Sequence, residues 1–369
     1  MDTRQSLLEE TCARCIQCGA CKAVCPVHLS SRREEHSPRG RLNLYQALLQ
    51  GKISFRKKNL DPLWQCLLCG RCQRNCPNLL RVTDALKQGR AGLLKKNPAL
   101  GRLLSRLLLN PALPALVKSI PGKGFLDKGL NLRWQKLKRL PPLRPRPPSL
   151  RRVNFTGRKK VGLFLGCLAT YARPGLAEKA LAVLRRLDYQ VIPLSGCCGL
   201  AALSAGQHEP ARHAALTLRE NWQKYNLEGI VTLCTSCTHT LSQEYALLLP
   251  ESTFPEIMDI NFLLASNPQL LDRAAVITQA YLHLSCHLPE AETLHKWLMS
   301  SGIKLTVIDH CCGGGGLLPF NSPQLSRSIA PRLPDSRRPV LVTCSGCYLQ
   351  WLQIHDGPVI HPLETLSIV

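Results

Sequence analysis

Short apolar runs recur in matching order along the second half of this 369-residue chain. They are KVGLFLGC and AYLHLSC (residues 160–167 and 280–286), YQVIPL and IKLTVID (189–194 and 303–309), and GIVTLC and PVLVTC (229–234 and 339–344). Their length and their content of branched apolar residues predict buried strands. The amphipathic stretches GLAEKALAVLRRL (175–187) and EAETLHKWLMSSG (290–302) follow the first strand of each set and predict helices.

Two sets of the same elements indicate an internal repeat, and therefore two similar lobes. Strands that alternate with helices predict a parallel sheet with helices packed on its faces. The second half of the chain is thus predicted to be an α/β pair of repeated parallel-sheet lobes, one over residues 159–265 and the other over 275–369.

Cysteines occur at the ends of the predicted strands in both lobes, with a Cys-Cys-Gly loop in each. The first set is Cys167, Cys197, Cys198, Cys234 and Cys237, and the second is Cys286, Cys311, Cys312, Cys344 and Cys347. Open α/β sheets place their ligand sites at the carboxyl ends of strands. We therefore expect one cluster site in each lobe, with Gly199 and the glycines at 313–316 offering backbone N–H groups to sulfur.

The first quarter of the chain carries another repeated cysteine pattern, CIQCGACKAVCP from residue 15 and CLLCGRCQRNCP from residue 66. Disulfides are unexpected, because the 19 cysteines include an odd one and the polar N-terminus shows no secretory signal. Structural zinc sites use two well-separated pairs of ligands. The C-x2-C-x2-C-x3-C-P spacing is instead that of bacterial [4Fe–4S] ferredoxins, so residues 1–90 are predicted to be an α-helical, ferredoxin-like domain with two such clusters.

In two-cluster ferredoxins the fourth cysteine of each run binds the other cluster. The predicted ligands are Cys15, Cys18, Cys21 and Cys76 for cluster 1, and Cys66, Cys69, Cys72 and Cys25 for cluster 2. Cys12 precedes the first run, but a run that started at Cys12 would lack the x3-C-P ending. We therefore expect Cys12 to be a spare thiol beside the cluster.

Positive charge is concentrated between the two halves. The chain has a formal charge of +24, and residues 81–160 hold 21 Lys and Arg against two Asp, a net charge of +19. Residues 91–158 are predicted to be a basic, proline-rich linker with helices. Docking of this segment on an anionic membrane or an acidic partner is an open alternative, since leucines recur there at helical spacing. Nucleic acid is not expected as a partner, because no recognised nucleic-acid module accompanies the charge.

No apolar run reaches the roughly 18–20 residues that a membrane-spanning helix needs. The longest candidate, at residues 99–117, is interrupted by Arg102, Arg106, Pro111 and Pro114. We therefore expect a cytoplasmic protein, with peripheral attachment to the inner face of the cytoplasmic membrane left open.

Together, these motifs resemble the family of the glycolate oxidase and D-lactate dehydrogenase iron–sulfur subunits. Related proteins are the heterodisulfide reductase subunits with fused ferredoxin and Cys-Cys-Gly domains and the iron–sulfur subunit of anaerobic glycerol-3-phosphate dehydrogenase. SPRGRLNLYQALLQGKI (37–53), between the two ferredoxin-type runs, is similar to a segment of the glycolate oxidase protein, and so is the GCLATYARPG stretch that begins the first lobe.

The resemblance implies an electron-transfer subunit of a glycolate or (R)-lactate dehydrogenase complex that does not turn over substrate alone. A partner flavoprotein would carry FAD and the 2-hydroxy acid site, and electrons would leave through the clusters to a quinone or another acceptor. No catalytic residue is assigned to this chain. The complete cysteine sets of both lobes leave a second function open, a heterodisulfide reductase-like subunit that reduces a disulfide at one or two further, non-cubane [4Fe–4S] clusters.

Iron content separates these possibilities. Protein isolated without oxygen should contain about 8 iron atoms per chain if only the two ferredoxin-type sites fill, and about 16 if both lobes also hold four-iron clusters. Iron and acid-labile sulfide are measured on the same sample. A content near 8 would contradict the disulfide-reducing function, because that function needs clusters in the lobes.

Overall fold

The computed structural model describes residues 3–96, 159–167, 169–170, 173–270, 277–288 and 291–366. The chain divides into two compact units, which are described separately. The helical unit comprises Met1–Leu109, Ala201–Pro210 and His310–Arg332, and the sheet unit comprises Asn110–Leu200, Ala211–Asp309 and Leu333–Val369. The limits of the four domains predicted above stay a prediction.

Most of the basic segment predicted to be a linker, including the leucine-rich stretch, lies outside the described residues. In the part of the chain that the structure describes, no helix has both the length and the apolar character needed to cross a bilayer.

Seventeen α-helices are named here among the described residues. They are α1 (Thr3–Ala13), α2 (Ala20–Ala23), α3 (Pro26–Ser31), α4 (Pro38–Leu49), α5 (Lys57–Trp64), α6 (Arg71–Arg74), α7 (Val82–Lys96), α8 (Pro174–Arg186), α9 (Leu200–Ser204), α10 (His208–Tyr225), α11 (Thr235–His239), α12 (Tyr245–Leu248), α13 (Ile260–Ala265), α14 (Ala291–Ser300), α15 (Leu318–Asn321), α16 (Pro323–Ile329) and α17 (Ser345–Ile354). Short 3₁₀ turns cover Glu34–His36, Pro268–Leu270 and Pro362–Thr365, and Thr240–Glu244 forms a π-helical turn.

Within the described ranges, eight strands form two sheets of four. They are β1 (Lys159–Phe164), β2 (Tyr189–Leu194), β3 (Gly229–Thr232), β4 (Glu256–Asp259), β5 (Gln279–His283), β6 (Lys304–Ile308), β7 (Val340–Val342) and β8 (Val359–Ile360). The sheet orders are β2-β1-β3-β4 and β6-β5-β7-β8, and every pairing is parallel. The predicted pair of parallel-sheet lobes is confirmed.

The fourth strand of each sheet, β4 or β8, was not predicted. Strand β4 reads Glu-Ile-Met-Asp, with an acidic residue at each end, and β8 has only two residues, so neither forms an apolar run in the sequence. The predicted first strands were also too long at their carboxyl ends. Strand β1 ends at Phe164, three residues before Cys167, so this cysteine lies in the loop that follows.

Both sheets contribute side chains to a single apolar core in the sheet unit. Leu163 of β1 and Leu184 of α8 are buried in it together with Leu282 of β5 and Leu298 of α14. Helix α8 carries its apolar residues at spacings of three and four, which places them on the face that packs on the sheet.

The helical unit is organised around α4 and α7. Ser37 caps α4 by accepting a hydrogen bond of 2.9 Å from the Gly40 amide, and Pro38 occupies the first helical position. Tyr45 of α4 fits against Gly89 of α7, where an added Cβ would lie 2.3 Å from the tyrosine ring. This close contact fixes α7 beside the loops that carry the ferredoxin-type cysteines.

His361 is a buried histidine at the end of the second sheet. Its Nδ1 accepts a hydrogen bond of 3.2 Å from the Leu363 amide, so the ring caps the last 3₁₀ turn. Burial, with a smaller effect of the positive charge of Arg173, lowers the pKa of His361 from 6.5 to about 3. The ring is therefore neutral at physiological pH.

Acidification should destabilise the fold through His361. Between pH 6.5 and about 3 the unfolded chain binds a proton that the folded chain does not, so stability falls as the pH drops through this window. The loss should reach about 2 kcal/mol between pH 8 and pH 5. Denaturant unfolding at both pH values measures it, and His361→Asn, which keeps a capping side chain without titrating, should remove this part of the loss. An equal loss in both proteins would contradict the prediction.

Candidate functional site

The two ferredoxin-type loops share an unusual backbone. Gln17 and Leu68, at the third position of each run, have φ angles of 58° and 55°. Gly19 and Gly70, which follow the second cysteine, have φ angles of 81° and 70°. A non-glycine residue in the left-handed region is strained, and such strain persists where surrounding structure enforces it for a function.

Each loop leads into a short helix, α2 or α6, and the two helices pack together. Asn75 also donates a hydrogen bond of 2.9 Å to the Ala20 carbonyl, which ties the second loop to the first. The cysteines of both runs therefore line two neighbouring clefts of the helical unit.

Cleft A has a volume of about 420 Å³ and cleft B about 350 Å³, in both cases partly open to solvent. Cleft A is lined by Cys15, Cys18, Cys21, Cys72 and Cys76, and cleft B by Cys25, Cys66, Cys69 and Cys72. Cys76 thus lies with the first run and Cys25 with the second, the grouping that an exchange of the fourth cysteines requires. The binding of iron by these residues stays a prediction.

The donors in cleft B suit an anionic iron–sulfur cluster. Burial raises the pKa of the Cys69 thiol to about 11 and that of Cys72 well above its ordinary value, so both stay protonated until a metal displaces the proton. Arg41 lines the same cleft, and its Nη2 is buried without a hydrogen-bond partner in the described part of the chain. The sulfur atoms of a bound cluster would supply the hydrogen-bond acceptor that the Nη2 of Arg41 lacks.

Cys12 lies next to residues of cleft A without lining it. It is buried, its thiol donates to the Leu42 carbonyl at 3.5 Å, and it lines neither cleft. Burial, together with repulsion from Cys15 and Glu9, raises the pKa of its thiol to about 11.

The two Cys-Cys-Gly loops also have matching backbones. Gly199 and Gly313 have φ angles of 79° and 78°. Their amides donate to the sulfurs of Cys197 and Cys311 at 3.4 Å and 3.3 Å, so each loop directs a backbone N–H group at a cysteine sulfur. Donation to the sulfurs of a bound cluster stays a prediction.

Glycine is also required at both positions for steric reasons, because a side chain would clash with neighbouring backbone. An added Cβ at Gly199 would lie 3.0 Å from the Ala211 Cα, and one at Gly313 would lie 2.0 Å from the Ser326 carbonyl oxygen.

Within the sheet unit, buried sulfurs connect the two sheets. Cys198, Cys237, Cys234 and Cys344 form a chain of hydrogen-bonded thiols, in which Cys234 and Cys344 follow strands of different sheets. Ser345 N–H donates to the Cys234 sulfur at 3.2 Å. One cysteine of each lobe, Cys234 and Cys344, is thus in contact with the other, and the binding of one cluster in each lobe stays a prediction.

The hydrogen bonds set the protonation of these thiols. Those from Cys197 and Cys237 lower the pKa of Cys198 well below its ordinary value, and those from Cys234 and Cys347 do the same for Cys344. Deprotonation is therefore favoured at Cys198 and Cys344 over the other thiols of this group, and thiolates are the form that binds metal or attacks a disulfide.

The second set of cysteines is divided between the two units. Cys311 and Cys312 fall in the helical unit, whereas Cys286, Cys344 and Cys347 fall in the sheet unit. In the helical unit, Cys311 packs against an apolar cluster that contains Cys25 and Leu67, both of which line cleft B. The first set lies entirely in the sheet unit, where Cys167 and Cys197 are exposed.

The sequence did not indicate Ser236 and His239 as polar groups around the cysteines. Ser236 Oγ lies 2.9 Å from the Cys344 sulfur and 3.4 Å from His287 Nδ1, and the His287 ring stacks on His239 at 4.3 Å. Ser236 and His239 lie in α11, which follows β3, whereas His287 follows β5 and Cys344 follows β7, so the proximity across these segments has no signal in the sequence. Arg41 was visible within the Pro-Arg-Gly-Arg segment, but its burial was not.

Comparison with known proteins agrees with this arrangement. Residues 11–80 match the model of a 4Fe-4S dicluster domain and residues 161–242 that of a cysteine-rich domain. The chain is 26% identical to the glycolate oxidase iron–sulfur subunit of Escherichia coli, and the aligned part covers 96% of this chain and 93% of the relative.

Two further relatives are more distant. The chain is 23% identical to the probable glycolate oxidase iron–sulfur subunit of Bacillus subtilis, over 91% of this chain and 87% of the relative. It is 22% identical to one subunit of the dihydromethanophenazine:CoB–CoM heterodisulfide reductase of Methanosarcina acetivorans, over 86% and 81%. The resemblance drawn from the cysteine motifs is confirmed.

Of two cysteine substitutions, only one should lower the cluster content. Cys12→Ala should leave iron content unchanged and lower stability by about 1 kcal/mol, because it removes a small buried side chain outside both clefts. Cys18→Ala removes a thiol that lines cleft A, so about four iron atoms should be lost. Iron analysis and the spectra of the reduced clusters measure both, and iron loss from Cys12→Ala would contradict the assignment.

Proposed function

We propose that this chain is the iron–sulfur electron-transfer subunit of a glycolate or (R)-lactate dehydrogenase complex. In this proposal a partner flavoprotein oxidises the 2-hydroxy acid, and its electrons pass through the clusters of this chain to a quinone or another acceptor. The substrate does not bind to this chain. The observation that carries the proposal is the pair of adjacent cysteine-lined clefts A and B.

Cluster A would be held by Cys15, Cys18, Cys21 and Cys76, and cluster B by Cys25, Cys66, Cys69 and Cys72. A [4Fe–4S] cluster exchanges one electron at a time, and thiolates and nearby N–H groups set its potential. The chain itself orients the sulfurs and keeps the two sites adjacent. The near full-length similarity to a glycolate oxidase iron–sulfur subunit supports the choice of complex.

A second candidate is a heterodisulfide reductase-like protein, in which the lobes carry non-cubane [4Fe–4S] clusters that reduce a disulfide. The buried chain of thiols that includes Cys198, Cys234 and Cys344 favours it, because it joins both lobes into one sulfur-rich region. The similarity to a component of a heterodisulfide reductase also supports this candidate.

The first experiment follows cluster absorbance in the native complex. The chain is isolated without oxygen from its own cells with everything that remains bound, and glycolate or D-lactate is added. We expect the broad visible absorbance of the clusters to bleach, because the partner flavin would deliver electrons to them. A sample carrying Cys18→Ala and Cys69→Ala in this chain is the control, and there only the flavin should bleach.

The opposite result is equally informative. If neither acid bleaches the clusters, but dithiols reduce them and an added disulfide reoxidises them, the electron-transfer proposal fails and the second candidate gains support. The same preparation thus separates the two functions.

A further inference from the structure

We infer that two buried arginines, Arg41 and Arg90, make cluster B the preferred electron acceptor of the ferredoxin-type pair. This inference rests on the proposed binding of a cluster by Cys25, Cys66, Cys69 and Cys72. The step is a single electron transfer: cluster A is oxidised by one electron, cluster B is reduced by one, and no proton moves.

Arg90 lies on α7 and has no exposed surface. Its guanidinium donates to the carbonyls of Leu63, Trp64 and Cys66 at 2.9–3.2 Å and to that of Ser204 at 2.5 Å. The guanidinium also lies 5.6 Å from the centre of the Trp64 ring. All these partners are neutral, so the charge of Arg90 is held beside a predicted ligand of cluster B without a counter-ion.

Arg41 supplies a second charge from another helix, α4. It is 1% exposed, lines cleft B, and donates from Nε to the Pro62 carbonyl at 2.7 Å. Its Nη2 has no partner among the residues that the structure describes. Neither Arg41 nor Arg90 forms an ion pair within the described ranges.

Cleft A has an arginine of a different kind. Arg39 lines this cleft, but its Nε forms an ion pair of 2.7 Å with Glu34, which also binds Lys22 at 2.7 Å. Burial opposes ionisation of Glu34, but hydrogen bonds from Arg39, Lys22 and Ser37 outweigh it and lower the pKa of this carboxyl to about 2. The positive charge at cleft A is therefore compensated by a carboxylate at neutral pH.

A thiolate-bound [4Fe–4S] cluster has a charge of about −2 when oxidised and about −3 when reduced. A fixed positive charge nearby stabilises the reduced form more, and the effect is larger where water is excluded. Burial by itself destabilises the reduced form, because it excludes the water that would stabilise the extra negative charge. The uncompensated guanidinium groups are the feature of cleft B that opposes this effect of burial.

The negative charge of a bound cluster would also explain why two arginines can remain in the interior. A buried charge without a partner is costly, and arginine stays protonated at neutral pH. Burial lowers the pKa of Arg90 from its ordinary value, and a guanidinium nevertheless stays charged in proteins. An anionic cluster in cleft B is the counter-charge that both groups otherwise lack.

The test is a redox titration of the full-length, cluster-loaded protein, followed by the electron paramagnetic resonance signal of each reduced cluster. Arg41→Gln should lower the ratio of reduced to oxidised cluster B at a fixed potential by about tenfold, which is about 59 mV for one electron. Arg41→Lys keeps the charge and should lower the ratio by less than threefold. Arg39→Gln is the matched control at cleft A and should leave cluster B unchanged.

The outcomes are distinguishable. If Arg41→Gln keeps its iron but the potential of cluster B does not fall, the inference is wrong while the proposed function stands. If Arg41→Lys lowers the potential as much as Arg41→Gln, geometry and not charge is responsible, and the inference is also wrong. If the unsubstituted protein binds no cluster at Cys25, Cys66, Cys69 and Cys72, the proposed function fails.

A second measurement does not depend on arginine substitutions that could unfold the chain. Removing cluster A with Cys15→Ala and Cys18→Ala leaves cluster B as the remaining cubane in the ferredoxin-type pair. Its potential should equal the higher of the two cubane potentials of the unsubstituted protein. A match to the lower potential would overturn the inference.

Discussion

The cysteine-rich loops of this protein depend on a left-handed backbone residue close to a cysteine. Gln17 and Leu68 adopt this conformation in the ferredoxin-type loops, and Gly199 and Gly313 adopt it in the Cys-Cys-Gly loops. The conformation turns the chain sharply, so that amides can face sulfur and neighbouring cysteines can face the same cleft. At Gly313 the requirement is also steric, because the Ser326 carbonyl occupies the place of a side chain.

Charge compensation is the second constraint on the helical unit. Arg41 and Arg90 are buried among neutral carbonyl groups, an arrangement that is costly unless an anion completes it. The cysteines of cleft B can hold such an anion, since thiolates and cluster sulfides together carry negative charge. Packing, electrostatics and the proposed electron transfer therefore depend on the same group of residues.

In the sheet unit, the fold brings sulfurs from distant parts of the chain together. Parallel strands end on the same side of a sheet, so the loops after β1, β2 and β3 can converge, as they do for the first set. The shared core of the two sheets then holds Cys234 near the amide of Ser345, across 111 residues of sequence. Cysteines from both copies of the repeat, Cys234 and Cys344, therefore lie in the same region of the sheet unit.

The sequence by itself determined the cysteine motifs, the repeat and the parallel α/β lobes, because apolar period and ligand spacing are local properties of the chain. It also indicated the backbone amides of Gly199 and Gly313. It did not show strands β4 and β8, because neither forms an apolar run: β4 has an acidic residue at each end and β8 has only two residues. Only the tertiary structure decided that Arg41 and Arg90 are buried and that thiols of the two lobes meet, because burial and long-range contact depend on how distant segments pack.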